Sequence, residues 1–311
     1  MRKEIIYEIK SLYRDDFRVT GYHFGRGEKA ACIVGCCRGN EIQQLFVCSQ
    51  IVKAVKELER EDCIAEGKEI LVIPSLNPYS MNIQKRFWQT DNTDINRMFP
   101  GYDRGETTQR IAGGVFDVIQ DYAYGMQFAS FYMPGNFIPH VRVMETGHED
   151  TELAKEFGLP YVVRRKVRPY DTTTLNYNWQ IWDTKAFSIY TSSTDSIDPD
   201  SARQAVRGVL NFLNRQGIIR YRTHPGYCSE VVEDTDMISV RAHASGLFVR
   251  KAEVFQEVLK GQVLAEVLDP YEGEVQERII SPADGIVFFV HNEPLTYSHT
   301  AVFKLIPAGR I

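Results

Sequence analysis

The stretch Cys36-Cys37-Arg38-Gly39-Asn40-Glu41 sets two thiols, a guanidinium and a carboxylate in immediate succession. Thiols, a carboxylate and an imidazole are donor types that suit zinc, so Cys36, Cys37, Glu41 and a returning His140 could in principle hold an ion. Their spacing matches no standard zinc pattern, and cysteines on a buried strand usually act as small hydrophobes. Arg38 cannot ligate a cation, because its guanidinium stays protonated and only donates. Three residues before Glu41, at the start of a helix, it is placed to form an ion pair with that carboxylate. No histidine lies between His23 and His140. His23, in GYHFGRG, lacks the spacing of a phosphate loop and reads as turn chemistry. His148-Glu149 lacks the second histidine of a zincin motif and reads as a polar loop. His140 and Arg142 alternate, so on a strand both face one side. An isolated strand histidine is more often a hydrogen-bonded structural group than a ligand. The segment TTTLNYNWQIWDT, 172–184, reads either as the lining of a ligand pocket or as packing beneath a long loop.

The elements that must position these residues alternate in type through about residue 220. Short β-branched runs at 30–35, 70–74, 126–131, 140–144, 161–164 and 187–191 predict strands. Periodic apolar spacing predicts helices over 41–58, 107–122 and 152–157, and another over 199–216, begun by Asp-Pro-Asp-Ser. SLNPYS, after the second strand, is turn-rich. Strand-then-helix alternation predicts an α/β domain, and ligand sites in such sheets lie beyond the carboxyl ends of the strands. From Ile238 onward, short strands are separated by glycine turns, as in KGQVLAEVLDPYEGEV and SPADGIVFFV. This predicts two domains, 1–222 and a small all-β domain at 223–311.

The 311 residues carry 36 basic and 41 acidic side chains, a formal charge of −5. That gives no sign of the basic surface with which proteins grip nucleic acid non-specifically, although a short basic patch fits within an acidic average. No apolar run approaches the ~18 residues of a membrane span, and MRKEIIYEIKSLYRDDF holds no signal-peptide core. Six cysteines in a chain of this length do not make a disulfide framework, which predicts a reduced, cytoplasmic protein.

The most informative stretch is NPYSMNIQKRFWQTDNTDINRMFPG, residues 77–101. With Asn77-Pro78, Arg86, Asp94, Asn96-Arg97 and Phe99 it resembles the signature of the succinylglutamate desuccinylase/aspartoacylase family, relatives of the zinc carboxypeptidases. The interval between Arg86 and Asn96 is longer than the family pattern has. VGCCRGNEIQ is similar to that family's His-Gly-x-Glu turn, and the order of elements agrees through about residue 220. The resemblance implies a carboxypeptidase-like mixed sheet flanked by helices, followed by a β domain of barrel-sandwich type.

The resemblance also implies a chemistry. Two His and one Glu hold zinc and a water, and another Glu moves the proton. An Arg stabilises the oxyanion, and an Asn-Arg pair holds a substrate carboxylate. Transferred position by position, Glu41 is the one retained zinc ligand, whereas Arg38 and Ala129 stand where the two histidines belong. The catalytic Glu falls on Tyr190, a poor base with an ordinary pKa near ~10. Arg86 maps to the oxyanion role, and Asn96 and Arg97 to acid binding, with Arg38, His140 and Arg142 as further candidates for contacting substrate.

Two functions are therefore expected. One is a hydrolase of amide bonds in small N-acyl amino acids, using Arg86 with Glu41 or Tyr190. The other is a non-catalytic binder of small carboxylates, forming no zinc centre and possessing neither a nucleic-acid nor a membrane partner. The β domain has no Lys at its hairpin tips, Tyr271-Glu272-Gly273 and Ala283-Asp284-Gly285, so a lid or a contact in a homo-oligomer is expected of it rather than a carrier role.

Overall fold

A computed structural model of the chain describes residues 1–13, 15–222 and 224–310. They divide into two compact units, Met1–Ser130 with Pro139–Val231, and Phe131–Ile138 with Val232–Ile311. The change of texture read near residue 222 adjoins Thr223, which lies outside the described residues, as does Ile311.

The strands are β1 (Arg2–Ile9), β2 (Phe17–Gly25), β3 (Glu28–Cys36), β4 (Lys68–Ser75), β5 (Tyr124–Ala129), β6 (Gly135–Phe137), β7 (His140–Glu145), β8 (Tyr161–Lys166), β9 (Lys185–Tyr190) and β10 (Glu230–Glu233). The helices are α1 (Ile42–Arg60), α2 (Pro78–Met81), α3 (Thr107–Ile119), α4 (Thr151–Lys155), α5 (Leu175–Ile181) and α6 (Pro199–Arg215). A nine-stranded mixed sheet runs in the order β1-β2-β4-β3-β5-β9-β7-β8-β10. The central strand β3 pairs in parallel with both β4 and β5 and is buried over its last seven residues, as strands covered on both faces are.

Period-two alternation sorts the core. Ala31 and Ile33 of β3 pack with Ile70 and Val72 of β4 against Val47, Ile51 and Val55 of α1 and Val209 and Phe212 of α6. Cys32 and Val34 pack with Leu71 and Ile73 against Ile111 and Val115 of α3 and Trp179 of α5. Helix α6 begins where Asp198 accepts hydrogen bonds from the N–H groups of Asp200 (3.0 Å) and Ser201 (3.1 Å), with Pro199 in its first turn.

One expectation needs correction and two are sharpened. His23 does not sit in a turn: it lies within β2, which continues through Tyr22-His23-Phe24 and ends only at Gly25, whose positive φ of 67° turns the chain. Of the two readings of 172–184, packing has the structure's support: Thr174 caps α5 and Trp179 is fully buried, its indole N–H donating to the Ile119 carbonyl at 3.0 Å. Within SLNPYS, Asn77 caps the short α2, accepting from the Ser80 N–H at 3.1 Å.

The second unit holds β11 (Ile238–Arg241), β12 (Gly246–Arg250), β13 (Glu257–Val258), β14 (Val263–Leu268), β15 (Val275–Ile280), β16 (Gly285–His291), β17 (Leu295–Thr296) and β18 (Ala301–Pro307). A five-stranded antiparallel sheet, β11-β18-β16-β13 with β6 added beside β16, accompanies a four-stranded one, β15-β14-β12-β17. Leu264, Val267, Ile279, Val287, Phe303 and Leu305 form its core. The β domain thus takes a strand from an excursion between β5 and β7, a loan that the local pattern of 131–138 does not announce.

Candidate functional site

The turn after β3 delivers Arg38 and Glu41 to the carboxyl end of the central strands. The turn is tight because Gly39 has no side chain: a Cβ there would lie 2.2 Å from the Ser80 backbone carbon. Arg38 and Glu41 are 3% and 1% exposed. The Arg38 Nη1 donates to Glu41 Oε1 at 2.9 Å, and its Nη2 lies 3.0 Å from Asp94 Oδ2. The Nε also donates to both oxygens of Asp94, at 3.1 and 3.0 Å. Burial alone would lower the pKa of this guanidinium, but the charges of Glu41 and Asp94 outweigh it and raise the pKa well above the ordinary value. Glu41 Oε2 accepts from the backbone N–H groups of Cys37 (2.8 Å) and Arg38 (3.0 Å), and Oε1 accepts from Ser130 Oγ. Both carboxylate oxygens are therefore engaged by donors.

The neighbouring strands supply the rest. Ala129 ends β5 directly beside Tyr190 of β9, and Tyr190 in turn pairs with His140 of β7. His140 is fully buried, its ring stacked on Tyr190 at 4.9 Å and 2°. Arg142 faces the same tyrosine, as the alternation along β7 requires: its guanidinium sits 4.5 Å from the ring centroid, and Nη1 donates to the phenol oxygen at 3.3 Å. Stacking and cation–π contact make Tyr190 a platform for two basic side chains.

Asn96 and Arg97 lie on a short 3₁₀ turn, Ile95–Arg97, capped by Asp94 through the Asn96 N–H at 3.0 Å. Asn96 is 6% exposed. Its Oδ1 accepts from Gln127 Nε2 at 2.8 Å and from the Leu175 N–H at 3.4 Å, so this carboxamide braces the site. Arg97 Nη1 donates to the Tyr170 carbonyl at 2.6 Å and stands 3.5 Å from Asp171 Oδ1. Arg86, half-buried after α2, places its guanidinium 5.9 Å from the Phe87 ring centroid. Asp94 and Asp171, the two carboxylates that organise these arginines, were not given these roles from sequence. The Asp-x-Asn-Arg pattern marks Asp94, but nothing local in RRKVRPYD marks Asp171.

Zinc, implied by the family pattern, does not fit these residues. The Arg38 guanidinium lies against Glu41 and engages its carboxylate, and Ala129 at the end of β5 carries no donor group. Among the described residues no group of three or more His, Cys, Asp or Glu side chains is arranged to hold a metal ion. The nearby thiols are also poor ligands as placed. Burial pushes the Cys36 thiol up to about 12, and burial, followed by the charge of Glu41, pushes Cys37 higher than its ordinary range.

Comparison with known proteins places the chain in a family and a fold. The sequence pattern of the succinylglutamate desuccinylase/aspartoacylase catalytic domain matches residues 28–215. The chain belongs to the succinylglutamate desuccinylase/aspartoacylase family. A curated relative, the N-alpha-acetyl-L-2,4-diaminobutyric acid deacetylase of Halomonas elongata, is 24% identical over 263 residues, covering 78% of this chain and 72% of the relative. Among solved structures, a succinylglutamate desuccinylase from Silicibacter sp. TM1040 superposes with a TM-score of 0.78 at 18% identity, over 97% of this chain and 92% of that one. The product-bound ectoine utilization protein EutE (DoeB) of Ruegeria pomeroyi gives 0.77 at 20%, over 93% and 89%. These likenesses establish the desuccinylase fold, a mixed α/β sheet flanked by helices with an all-β C-terminal unit. Among the described residues no helix is long and apolar enough to cross a membrane.

Proposed function

We propose that this desuccinylase/aspartoacylase-family protein binds a small carboxylic acid and does not hydrolyse amides through a zinc-bound water. The observation that carries the reading is the buried Arg38 guanidinium, 2.9 Å from Glu41 and 3.0 Å from Asp94. At an effective dielectric of about 20, two unit charges ~4 Å apart interact by ~4 kcal/mol, and against a divalent ion that repulsion doubles. Arg38 therefore excludes zinc by charge as well as by volume. Arg97 supplies the charge-assisted grip on the acid, and Arg142 on its tyrosine platform supplies a second cation. Six unpaired thiols support a reducing, cytoplasmic setting.

The runner-up reading, hydrolysis of an N-acyl amino acid, draws support from the deacetylase relative at 24% identity. In it Arg86 meets the oxyanion and Glu41 or Tyr190 handles protons. Calorimetric titration with succinate in the presence of a chelator tests the first reading: binding is expected, and Arg97→Ala should weaken it while leaving the share of Arg142 measurable. Release of free amine from a panel of N-acyl amino acids, stimulated by added zinc, would replace it with the second.

A further inference from the structure

Acid binding by Arg97 depends on where its guanidinium is held, and the residues that hold it come from the loop after β8. Asp171 is 2% exposed. Its Oδ1 stands 3.5 Å from Arg97 Nη1, and its Oδ2 accepts from Arg165 Nη2 at 2.8 Å and from the Arg168 N–H at 3.1 Å. The Tyr170 ring lies 5.3 Å from the Arg97 guanidinium and 5.9 Å from that of Arg165. The two loops are tied by backbone as well, the Phe99 N–H donating to the Thr173 carbonyl at 3.0 Å, and within the second loop Thr174 Oγ1 donates to the Asp171 carbonyl at 2.7 Å.

We infer that Asp171, anchored by Arg165, is the positioning residue that sets Arg97 for acid binding. This rests on the acid-binding reading of Arg97 given above. Asp171 is too deeply buried to meet a ligand, so it acts through the guanidinium it faces. One carboxylate with an oxygen toward each arginine keeps two like charges side by side on one aromatic ring. With that carboxylate neutralised, the two guanidiniums repel, and the Tyr170 carbonyl is left to hold Arg97 against that repulsion. With Arg165 removed, the carboxylate keeps the Arg168 N–H, turns more of its charge to Arg97 and competes with an incoming acid for it.

The test is a double-mutant cycle read by calorimetric titration of succinate. Asp171→Asn and Arg165→Gln are each expected to weaken succinate binding at least tenfold, and Arg165→Lys to recover part of the loss by restoring the charge. In an Arg97→Ala background, where Arg142 is expected to leave weaker but measurable succinate binding, neither substitution should weaken it further. Additive losses would overturn the positioning role, because a general structural defect does not vanish when Arg97 is gone. If Asp171→Asn does not fold, the Arg165→Gln and Arg97→Ala cycle decides alone. Succinate binding that Arg97→Ala weakens but that Asp171→Asn and Arg165→Gln leave intact overturns the positioning role only. A parent chain that fails to bind succinate overturns the acid-binding reading and this inference with it.

Discussion

Replacing Arg38 by Met keeps an unbranched, flexible side chain, shorter than arginine, and removes its charge. Two carboxylates then remain beside a vacated cation site, Glu41 at 1% and Asp94 at 7% exposure. Glu41 keeps the N–H groups of Cys37 and Arg38 and the Ser130 hydroxyl, while Asp94 keeps the Asn96 N–H. At an effective dielectric of about 20, each ion contact at ~3 Å is worth about 5–6 kcal/mol before desolvation is set against it. Removing one member of a buried ion set costs about 3–5 kcal/mol net, since the charges left behind lie in the interior uncompensated. For a domain of this size that corresponds to a fall in melting temperature of roughly 6–20 °C. Differential scanning calorimetry at pH 7 measures it. The triple variant Arg38→Met, Glu41→Gln, Asp94→Asn should recover most of the loss, because a neutral set of similar shape leaves no buried charge unpaired. A fall of less than ~3 °C in Arg38→Met would refute the assignment of Arg38 as the charge that compensates both carboxylates.

Other outcomes follow from the same geometry. Because the pKa of Arg38 is raised above its already high unfolded value by Glu41 and Asp94, its charge is fully present below that unfolded value and is lost only as pH climbs through the still higher folded one, so no zinc should bind at this site between pH 7 and 10. Elemental analysis after dialysis against zinc checks this, and one equivalent retained at Glu41 would contradict it. The paired substitution Arg38→His with Ala129→His should create measurable zinc affinity. Failure there would show that the site has diverged beyond its ligands. With Cys36 raised to about 12 and Cys32, Cys37 and Cys48 also fully buried, a thiol reagent at pH 8 should modify exposed Cys228 quickly and Cys63 slowly, and reach the other four only after unfolding. Rapid native labelling of Cys36 or Cys37 would refute their enclosure.

How much of this was legible in the chain differs from residue to residue. The strands at 30–35 and 70–74 and the helix from Asp198 could be read because burial on both faces, apolar period and capping are local properties. The helical state of 175–181 was missed because its apolar positions are aromatic and interrupted by Asn and Gln, and what fixes it is Trp179 entering the core under α3. β6 was missed because a three-residue strand has no pattern of its own until β16 provides an edge.

The sequence by itself determined the donor chemistry available at positions 38, 41 and 129. A guanidinium at 38 and a methyl at 129 cannot ligate zinc in any fold, because donor chemistry belongs to the residue type. Tertiary structure alone decided what that guanidinium does. Asp94 is 56 residues from Arg38, and Asp171 lies farther still along the chain from Arg97, so no spacing rule links them. Only the folded sheet, by bringing loops to the carboxyl ends of adjacent strands, turns these separate charges into one buried ion set and one held arginine.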